Sequence, residues 1–362
     1  MSSRRSKRGN ERRAAPQEAL PAPIRWDLTQ AAALLVEPSV HDDKYRRGVL
    51  GLRTGSAAYP GAAVLGAEAA WHTGLGMLRY TPPIDDTVST LGLPSPAAAV
   101  LAARPETVFL GDATPTHTAT DAWVIGSGTY PAQRSPAEES ALRALLQEEA
   151  PVVIDAGALD LLVHPQTSET TSRLAGESGV RAPCIITPHR GEFLALWRAA
   201  GLGDRPPGWP DRGRRDRSPA DSALIEAAQA LAARLSVTVL LKGSTSVVTT
   251  PGGLVYLAGP ATPWLATAGT GDVLAGILGA LLAAHAAAVR EEAEALGMLG
   301  ASAALLHDAA ARHASGDPRA TAAPARAQVG AVGRPITALE VAQSLPHVIG
   351  RVLGERHAAA TQ

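Results

Sequence analysis

Two glycines, a threonine and an aspartate stand directly before an apolar run in the last third of the chain. Residues 268–272 read AGTGD, and the apolar run 273–282 follows at once. Glycines before a helix let the backbone turn tightly, and the N–H groups and dipole of a helix N-terminus favour a bound anion. A carboxylate beside that anion can act as a general base while the N–H groups stabilise a transferring phosphoryl group. The segment therefore predicts phosphoryl transfer, with Asp272 as the base and Gly269, Thr270 and Gly271 as the anion hole. The plainer alternative is that Asp272 only stabilises the helix dipole.

Further polar residues and glycines follow apolar runs elsewhere in the chain. Residues 122–125, 151–155, 184–186 and 237–241 are continuous apolar or β-branched runs, and helix signals such as SPAE at 135–138 lie between them. Strands that are apolar on both faces and alternate with helices indicate a mostly parallel sheet covered on both sides. Ligands of such sheets bind at the carboxyl ends of the strands. The sequence therefore predicts an α/β fold with its site just after these runs.

Six segments in this order resemble the NAD(P)H-hydrate dehydratases, a branch of the ribokinase-like superfamily with a carbohydrate kinase-type domain. They are KYRRG through YPGAA (44–63), IGSG (125–128), IDAGAL (154–159), ITPHRGE (186–192), LKGSTS (241–246) and AGTGDVL (268–274). Any one of them is a weak signal, but together they cover roughly residues 40 to 350 in family order. The resemblance implies a three-layer ribokinase-like fold, with a mostly parallel central sheet and helices on both faces.

The resemblance also implies a role for individual residues. The residues implied in substrate binding are Gly61, Ala62, Gly126, Gly128, His189 and Asp272. The residues implied in nucleotide binding are Lys242, Gly243, Ser244, Thr245, Ser246 and Gly271. Glu192 is implied near magnesium or phosphate. Each also has a plainer interpretation, because glycines serve turns and packing, a lone histidine is often structural, and a lysine at a strand end is often solvated.

The acidic strand end departs from the family pattern. This segment usually reads Asp-Ala-Asp-Ala, whereas here Gly157 replaces the second aspartate. Asp155 is kept and Asp160 follows, so we expect the local number of carboxylates to survive. Ala268 stands where the anion segment usually has its first glycine.

The activity that the resemblance implies is metabolite repair. The hydroxyl at C6 of hydrated NADH or NADPH would be phosphorylated by ADP or ATP with Mg²⁺, and elimination of phosphate would restore the dihydronicotinamide. Two alternatives stay open at this point. A ribokinase-like kinase of a vitamin precursor would use the same aspartate and release a phosphorylated product, and a non-catalytic nucleotide-binding protein would keep only the fold. The residues do not decide between ADP and ATP.

Composition and charge restrict the partners and the compartment. The net charge is −1, which provides no field to recruit nucleic acid or an anionic membrane. The apolar stretch 273–289 falls short of the roughly 20 residues that a spanning helix needs. Cys184 is the one cysteine, so no intrachain disulfide can form, and we expect a buried structural thiol and a reducing, cytoplasmic setting. The resemblance implies a homo-oligomer, a tetramer in similar proteins, and a separate NAD(P)H-hydrate epimerase in the same pathway, since too few residues precede the match for an epimerase domain.

The predicted organisation is one domain with loose ends. Residues 1–40 are expected to be a disordered basic tail and lead-in, 41–350 the dehydratase domain, and 351–362 a C-terminal tail. The Pro- and Arg-rich stretch 201–217 is expected to be a surface insertion. Residues 309–333 read as loose, and a capping box at 337–340 predicts a final helix.

Overall fold

The computed structural model describes residues 21–84, 89, 91–110, 120–163, 180–210, 219–317 and 333–361. Its strands are β1 (Ile24–Arg25), β2 (Val49–Arg53), β3 (Met77–Tyr80), β4 (Val108–Phe109), β5 (Ala122–Ile125), β6 (Val152–Ile154), β7 (Cys184–Ile186), β8 (Thr238–Leu241), β9 (Ser246–Thr249) and β10 (Val255–Ala258). Its α-helices are α1 (Leu28–Ala33), α2 (Pro60–His72), α3 (Pro96–Ala103), α4 (Pro136–Leu145), α5 (Arg190–Ala199), α6 (Asp221–Leu235), α7 (Thr270–Ala284), α8 (Ala286–Glu291), α9 (Ala295–Ser315) and α10 (Ala338–Ala360).

One sheet contains all of these strands, in the order β1-β10-β9-β8-β7-β6-β5-β2-β3-β4. Neighbours are parallel except at β8–β9 and β9–β10, which are antiparallel. The apolar runs of the sequence form β5 to β8, and their parallel pairing brings the carboxyl ends of β2, β5, β6, β7 and β8 to the same edge. The predicted mostly parallel sheet is confirmed.

The sheet is covered on both faces, because successive strand residues enter two different cores. Val124 and Val153 pack with α2, α7, α9 and α10. Their neighbours Ile125 and Ile154 pack with α4, α5 and α6 on the opposite face. This alternation follows from the period of two along a strand. It gives the three layers that the sequence predicted.

Helices α2 and α7 approach each other through small residues. A Cβ on Gly276 would lie 2.3 Å from the carbonyl oxygen of Gly66, and 2.9 Å from the Cβ of Ala69. On the sheet side of α7, a Cβ on Gly279 would lie 2.4 Å from Cγ2 of Val124. Because α2 begins near Gly61 and α7 begins near Asp272, this contact fixes two parts of the predicted site relative to each other.

The predicted domain boundaries need correction where the structure describes them. Residues 21–40 are part of the fold, since β1 pairs with β10 and α1 buries Ala31 and Ala32. Helix α9 continues to Ser315, into the stretch expected to be loose, and α10 continues through the expected C-terminal tail to Ala360. Helix α1 has only six residues, which is too short for apolar periodicity to reveal it in the sequence. Residues 1–20 and 318–332 lie outside the described residues.

The described part of the expected surface insertion packs on the core through Trp209. Trp209 is buried, and its ring stacks on Phe193 with the centroids 5.2 Å apart. Residues 211–217 lie outside the described residues.

Cys184 and the final helix agree with their predictions. The Cys184 thiol is buried in β7, and burial raises its pKa, so it is an inert core residue. Thr337 and Glu340 form the capping box that begins α10. Within the described residues, none of the helices has the length and apolar character needed to cross a membrane.

The α2–α7 contact generates a stability prediction. Gly276→Ala should lower the free energy of unfolding by about 1–3 kcal/mol, because the added methyl overpacks against the Gly66 backbone. The matched control is Gly350→Ala on α10, where an added Cβ meets nothing within 4 Å. That substitution should stabilise the protein by about 0.5–1 kcal/mol through helix propensity. Urea unfolding of both variants measures this, and equal effects would contradict the proposed contact.

Candidate active site

The loop before α7 presents backbone rather than side chains. Gly269 has a φ of 89°, and a Cβ there would lie 2.6 Å from Cδ1 of Leu65. The Thr270 hydroxyl lies 2.9 Å from each of the carbonyl oxygens of Leu265 and Thr267, so it is held inside the loop. No side chain of the described residues caps α7. The N–H of Thr270 donates to the carbonyl oxygen of Thr267 at 3.4 Å, whereas the N–H groups of Gly271 and Asp272, in the first turn of α7, have no intrahelical partner. The anion hole at 269–271 stays a prediction.

Gly269 and Asp272 border a cavity of about 660 Å³ at the carboxyl edge of the sheet, which we call the Asp272 cavity. It brings together residues of the segments beginning α2, following β5, preceding α5 and preceding α7. The predicted site residues that line it are Gly61, Ala62, Gly128, His189, Glu192, Gly269 and Asp272. Segments up to 211 residues apart in the sequence therefore meet at one place, which is the main sequence prediction about the site.

A buried carboxylate at the end of β6 organises the floor of this region. Asp155 Oδ2 accepts a hydrogen bond from Ser127 Oγ at 2.9 Å, and its Oδ1 accepts from Thr187 Oγ1 at 2.7 Å. Lys242 Nζ donates to the same Oδ1 at 2.9 Å. Burial alone would raise the pKa of Asp155, but Lys242 and the two hydroxyls hold it below its usual value. Asp155 is therefore ionised and ties the ends of β5, β6, β7 and β8 together.

Lys242 is surrounded by carboxylates. Burial opposes its charge, but Asp155, Glu192 and Asp272 together raise its pKa, so the ammonium group stays charged. A Cβ on Gly271 would lie 3.5 Å from Nζ, which places the ammonium group beside the first turn of α7. The Lys242 ammonium group is thus positioned between the predicted anion hole and Asp155.

The pKa of Asp272 is shifted in the opposite direction to that of Asp155. Burial raises its pKa to about 6, the charge of Asp155 adds to the rise, and Lys242 opposes it. A carboxylate with a pKa near 6 is largely ionised at neutral pH and is still basic enough to accept a proton. Asp155 and Asp272 are therefore two acids whose surroundings shift their pKa values in opposite directions, a pattern common at catalytic sites.

His189 and Glu192 form a reciprocal cap on α5. His189 Nδ1 accepts from the backbone N–H groups of Gly191 and Glu192 at 2.9 and 3.2 Å, and Glu192 Oε2 accepts from the N–H of His189 at 2.8 Å. The His189 side chain is 60% exposed and faces the cavity. Because Nδ1 is an acceptor, the proton of a neutral ring lies on Nε2, which is 3.4 Å from Glu192 Oε1.

Several predicted residues lie beside the Asp272 cavity rather than on it. Gly126 lines a neighbouring cavity, and a Cβ there would lie 2.2 Å from the carbonyl oxygen of Asp155. Gly243, Ser244 and Thr245 form the turn between β8 and β9, and Ser246 begins β9. The Ser244 carbonyl accepts from the N–H of Ala261 at 2.7 Å, which connects this hairpin to the segment that leads to α7.

The expected compensation for the missing aspartate is wrong. Asp160 forms an ion pair with Arg134, whose Nη1 lies 3.0 Å from Oδ1, and it does not line the Asp272 cavity. A Cβ on Gly157 would lie 2.2 Å from the carbonyl oxygen of Thr129. The loop after β5 thus occupies the space that a side chain at 157 would need, so this position has to be glycine.

Sequence reasoning assigned no role to the aromatic residues of the site. Tyr59 and Tyr130 both line the Asp272 cavity, with ring centroids 5.3 Å apart and about half of each side chain exposed. Their hydroxyls are hydrogen-bonded at 3.2 Å. Tyr59 lies within the segment 44–63 that resembles the family, whereas Tyr130 lies two residues beyond the segment 125–128, so no sequence signal indicated it.

The donor set suits a magnesium ion that is held mainly by phosphate and water. Glu192 and Asp272 both line the Asp272 cavity, whereas Asp155 is committed to Lys242 and two hydroxyls. Within the described ranges, no group of three acidic, histidine or cysteine side chains could hold a metal. Mg²⁺ commonly binds through one or two carboxylates together with phosphates and water, so these residues fit it.

The fold and the site geometry define a class before any particular family. A ribokinase-like superfamily protein from Enterococcus faecalis has the same fold, with a TM-score of 0.61 at 19% identity, covering 93% of this chain and 99% of that chain. The family model described as NAD(P)H-hydrate dehydratase matches residues 50–328. The chain belongs to the NAD(P)H-hydrate dehydratase family.

Individual relatives agree with this membership. The chain is 38% identical over 262 residues to the bifunctional NAD(P)H-hydrate repair enzyme Nnr of Mycobacterium tuberculosis, covering 71% of this chain and 46% of the relative. It is 32% identical to the ADP-dependent (S)-NAD(P)H-hydrate dehydratase of Xanthomonas campestris, covering 68% of this chain and 77% of that protein. The chain therefore spans less than half of its bifunctional relative.

A solved structure extends the comparison to the whole fold. The ADP/ATP-dependent NAD(P)H-hydrate dehydratase from Bacillus subtilis, co-crystallised with ATP/Mg²⁺, has a TM-score of 0.64 at 25% identity, covering 92% of this chain and all of that chain.

The raised pKa of Asp272 predicts a stability cost at the site. The folded pKa of about 6 lies above the usual 3.8, so ionised Asp272 destabilises the fold, and the cost appears as pH rises from about 4 to 6. Asp272→Asn should therefore raise the free energy of unfolding at pH 7.5 by about 1–3 kcal/mol. Denaturant unfolding at pH 7.5 and pH 4 measures it, and the gain should disappear at pH 4. A gain that is the same at both pH values would contradict the assignment.

Proposed function

We propose that this chain dehydrates the hydrated forms of NADH and NADPH in a nucleotide-dependent reaction. The observation that carries the proposal is the position of Asp272, a carboxylate with a pKa of about 6 at the first turn of α7 and on the wall of the Asp272 cavity. Family membership supports the substrate class. A purely structural helix cap would not need a carboxylate that is costly to ionise.

The proposed chemistry begins with a proton transfer to Asp272. The C6 hydroxyl of the hydrated ring loses its proton to the Asp272 carboxylate, and its oxygen attacks the terminal phosphoryl group of ADP or ATP. The bond from phosphorus to the bridging oxygen breaks and releases AMP or ADP. The ring nitrogen's electron pair then expels inorganic phosphate from C6, and loss of a proton from C5 restores the double bond.

The residues around the anion hole support the charge on the transferring group. We assign the anion hole to the backbone of Gly269, Thr270 and Gly271, where the N–H of Gly271 has no intrahelical partner, and Lys242 brings a positive charge to the same place. We place the nucleotide along Lys242 and the hairpin residues Gly243, Ser244, Thr245 and Ser246. Such preorganised donors need no rearrangement when charge develops.

The remaining residues position the dinucleotide. Gly61, Ala62 and Gly128 leave the wall of the cavity without bulky side chains, so a ring can approach the backbone. His189 offers Nε2–H to the substrate, and Gly126 acts through the backbone of the adjoining turn. Glu192 lies where it could reach magnesium through water, and bound Mg²⁺ would neutralise charge on the phosphoryl oxygens.

Partners and compartment complete the proposal. We propose that an NAD(P)H-hydrate epimerase works in the same repair sequence, because the relative from Mycobacterium tuberculosis is a bifunctional NAD(P)H-hydrate repair enzyme. We propose a cytoplasmic, homo-oligomeric enzyme that acts on a small molecule and binds neither nucleic acid nor membrane.

The test of the proposed function follows both products. NADH hydrate incubated with the protein and ADP or ATP should regain absorbance near 340 nm while phosphorus NMR shows inorganic phosphate appearing at the same rate. A stable phosphomonoester formed from a vitamin-precursor alcohol, without repair of the hydrate, would instead identify a ribokinase-like kinase.

Asp272→Asn tests the base directly. Turnover should fall by about two to four orders of magnitude, because the amide cannot accept the proton. Nucleotide binding, measured by calorimetry, should persist. The control is Asp221→Asn, an exposed carboxylate in the first turn of α6, which should leave turnover unchanged. Near-normal turnover in Asp272→Asn would reduce the residue to a helix-stabilising role.

The pH dependence tests the coupling between the two aspartates. Ionised Asp272 is the active form, so kcat/KM should decline as pH falls below about 6. Asp155→Asn removes the negative charge that raises the pKa of Asp272. It also removes the ion-pair partner of Lys242, so the positive charge of Lys242 acts more strongly on Asp272. Both changes lower the pKa of Asp272. The residual activity of that variant should therefore keep its value to a lower pH than the wild type. A shift to higher pH would show that the two groups are not coupled as described.

A further inference from the structure

A second cavity adjoins the Asp272 cavity, and none of the chemistry above uses it. It has a volume of about 470 Å³, and Arg53, Ser56, Tyr130, Arg134 and Glu138 are among the residues that line it. We call it the Arg53 cavity. Its volume lies within the range that is usual for small-molecule sites.

The two cavities share part of their walls, and we call the path that crosses this shared wall the channel. Thr129 and Tyr130 line both of them. Residues 55–58 line the Arg53 cavity and the following residues, Tyr59, Gly61 and Ala62, line the Asp272 cavity. The segments 55–62 and 126–134 therefore form the walls of both, and a long ligand in one cavity can continue into the other.

The direction of this channel is away from the nucleotide. Lys242 ends β8, whereas the segments that form the channel walls follow β2 and β5. In the sheet, β8 and β5 lie on opposite sides of β6, the strand that ends at Asp155. If the reacting ring of the dinucleotide lies at Asp272, the rest of the dinucleotide therefore extends toward the Arg53 cavity, away from Lys242.

The charges that line the Arg53 cavity indicate which part of the dinucleotide it can bind. Arg53 Nε donates to Glu138 Oε1 at 2.8 Å, in an ion pair that is more than nine-tenths buried. Arg134 is paired with Asp160. Both arginines that line the cavity within the described residues are thus neutralised, and no cation is left for a phosphate. An uncharged nucleoside fits better than a pyrophosphate.

The lining of the cavity has the character that a purine nucleoside needs. Gly55, Ala57 and Ala58 provide small, mostly apolar surface for a flat ring. The buried Oγ of Ser56 has no hydrogen-bond partner among the described residues. Nε of Arg134, whose side chain is 8% exposed, makes no hydrogen bond there either, and its ion-pair contact with Glu139 Oε2 is long, at 3.9 Å. Buried polar atoms are rarely left without partners, so these groups can serve the polar edge of a ligand.

We propose that the Arg53 cavity binds the adenosine half of the dinucleotide substrate while the Asp272 cavity holds the nicotinamide half. This inference rests on the proposed function. The half-exposed rings of Tyr59 and Tyr130 stand at the junction, where they can pack against the part of the ligand that crosses between the two cavities.

The experiment compares NADH hydrate with the hydrate of reduced nicotinamide mononucleotide, which lacks the adenosine half. Ala58→Trp fills the Arg53 cavity from an exposed loop position. It should lower kcat/KM for NADH hydrate by about tenfold or more and leave the value for the truncated substrate within about twofold. Equal losses with both substrates, or no loss with NADH hydrate, would overturn the proposal.

Two further variants serve as a control and as a second test of the Arg53 cavity. Ala98→Trp introduces the same side chain at an exposed position on α3 outside both cavities, and it should change neither value. Ser56→Ala removes one hydroxyl, and it should cost about two- to tenfold in kcat/KM with NADH hydrate only. If Ala58→Trp fails to fold, Ser56→Ala decides the question by the same comparison.

A binding measurement separates this inference from the proposed function. Saturation-transfer NMR with NADH, which needs no turnover, should show transfer to the adenine protons in the wild type. Ala58→Trp should abolish that transfer and keep the transfer to the nicotinamide protons. Absence of repair activity with this binding pattern intact would reject the proposed function alone, whereas adenine transfer that persists in Ala58→Trp would reject the adenosine site alone.

Discussion

The ion pair between Asp155 and Lys242 is the interaction on which the rest of the site depends. It lies at the carboxyl edge of the sheet, where four strand ends meet, and it is supported by hydroxyl donors from two further strands. Breaking one partner of such a pair leaves an uncompensated charge in a poorly solvated place, which is strongly destabilising. Burial is the main cause of the raised pKa of Asp272, and the pair modifies it, because Asp155 raises it further and Lys242 lowers it. The interaction that orders this edge therefore also influences its reactive carboxylate.

Much of the architecture could be predicted because it follows from local pattern. Apolar runs followed by small or polar residues located β5 to β8, and the Gly-Asp segment before an apolar run located α7 and its loop. The ends of the fold were predicted less well. Helix α1 has six residues, too few to show apolar periodicity, and tertiary packing holds it in place. The start of α10 was predicted from its capping box, and its buried residues recur at helical spacing, but its continuation to Ala360 was not predicted.

The part of the site that was missed consists of contacts between distant segments. Asp155 could be recognised as an acidic strand end, but its three donors come from positions 28, 32 and 87 residues away. Asp160 looked equivalent by spacing, and only the fold shows that it turns to Arg134. Tyr59 and Tyr130 form a pair across 71 residues. Spacing rules describe one element at a time, so they cannot reveal which side chains meet between elements.

The glycine contact between α2 and α7 has a consequence for motion in this molecule. Backbone that touches backbone leaves no soft side chain between two helices to absorb a displacement. The wall containing Gly61 and the wall containing Asp272 should therefore move as one rigid body. The loop after β5 belongs to the same body, because a Cβ on its Gly128 would lie 2.4 Å from the Cβ of Ala62. Any closure around a ligand then has to come from an element without such a contact to α2 or α7, such as the β8–β9 hairpin. The reactive carboxylate stays at a constant distance from one side of its substrate, and adjustment is confined to the other side.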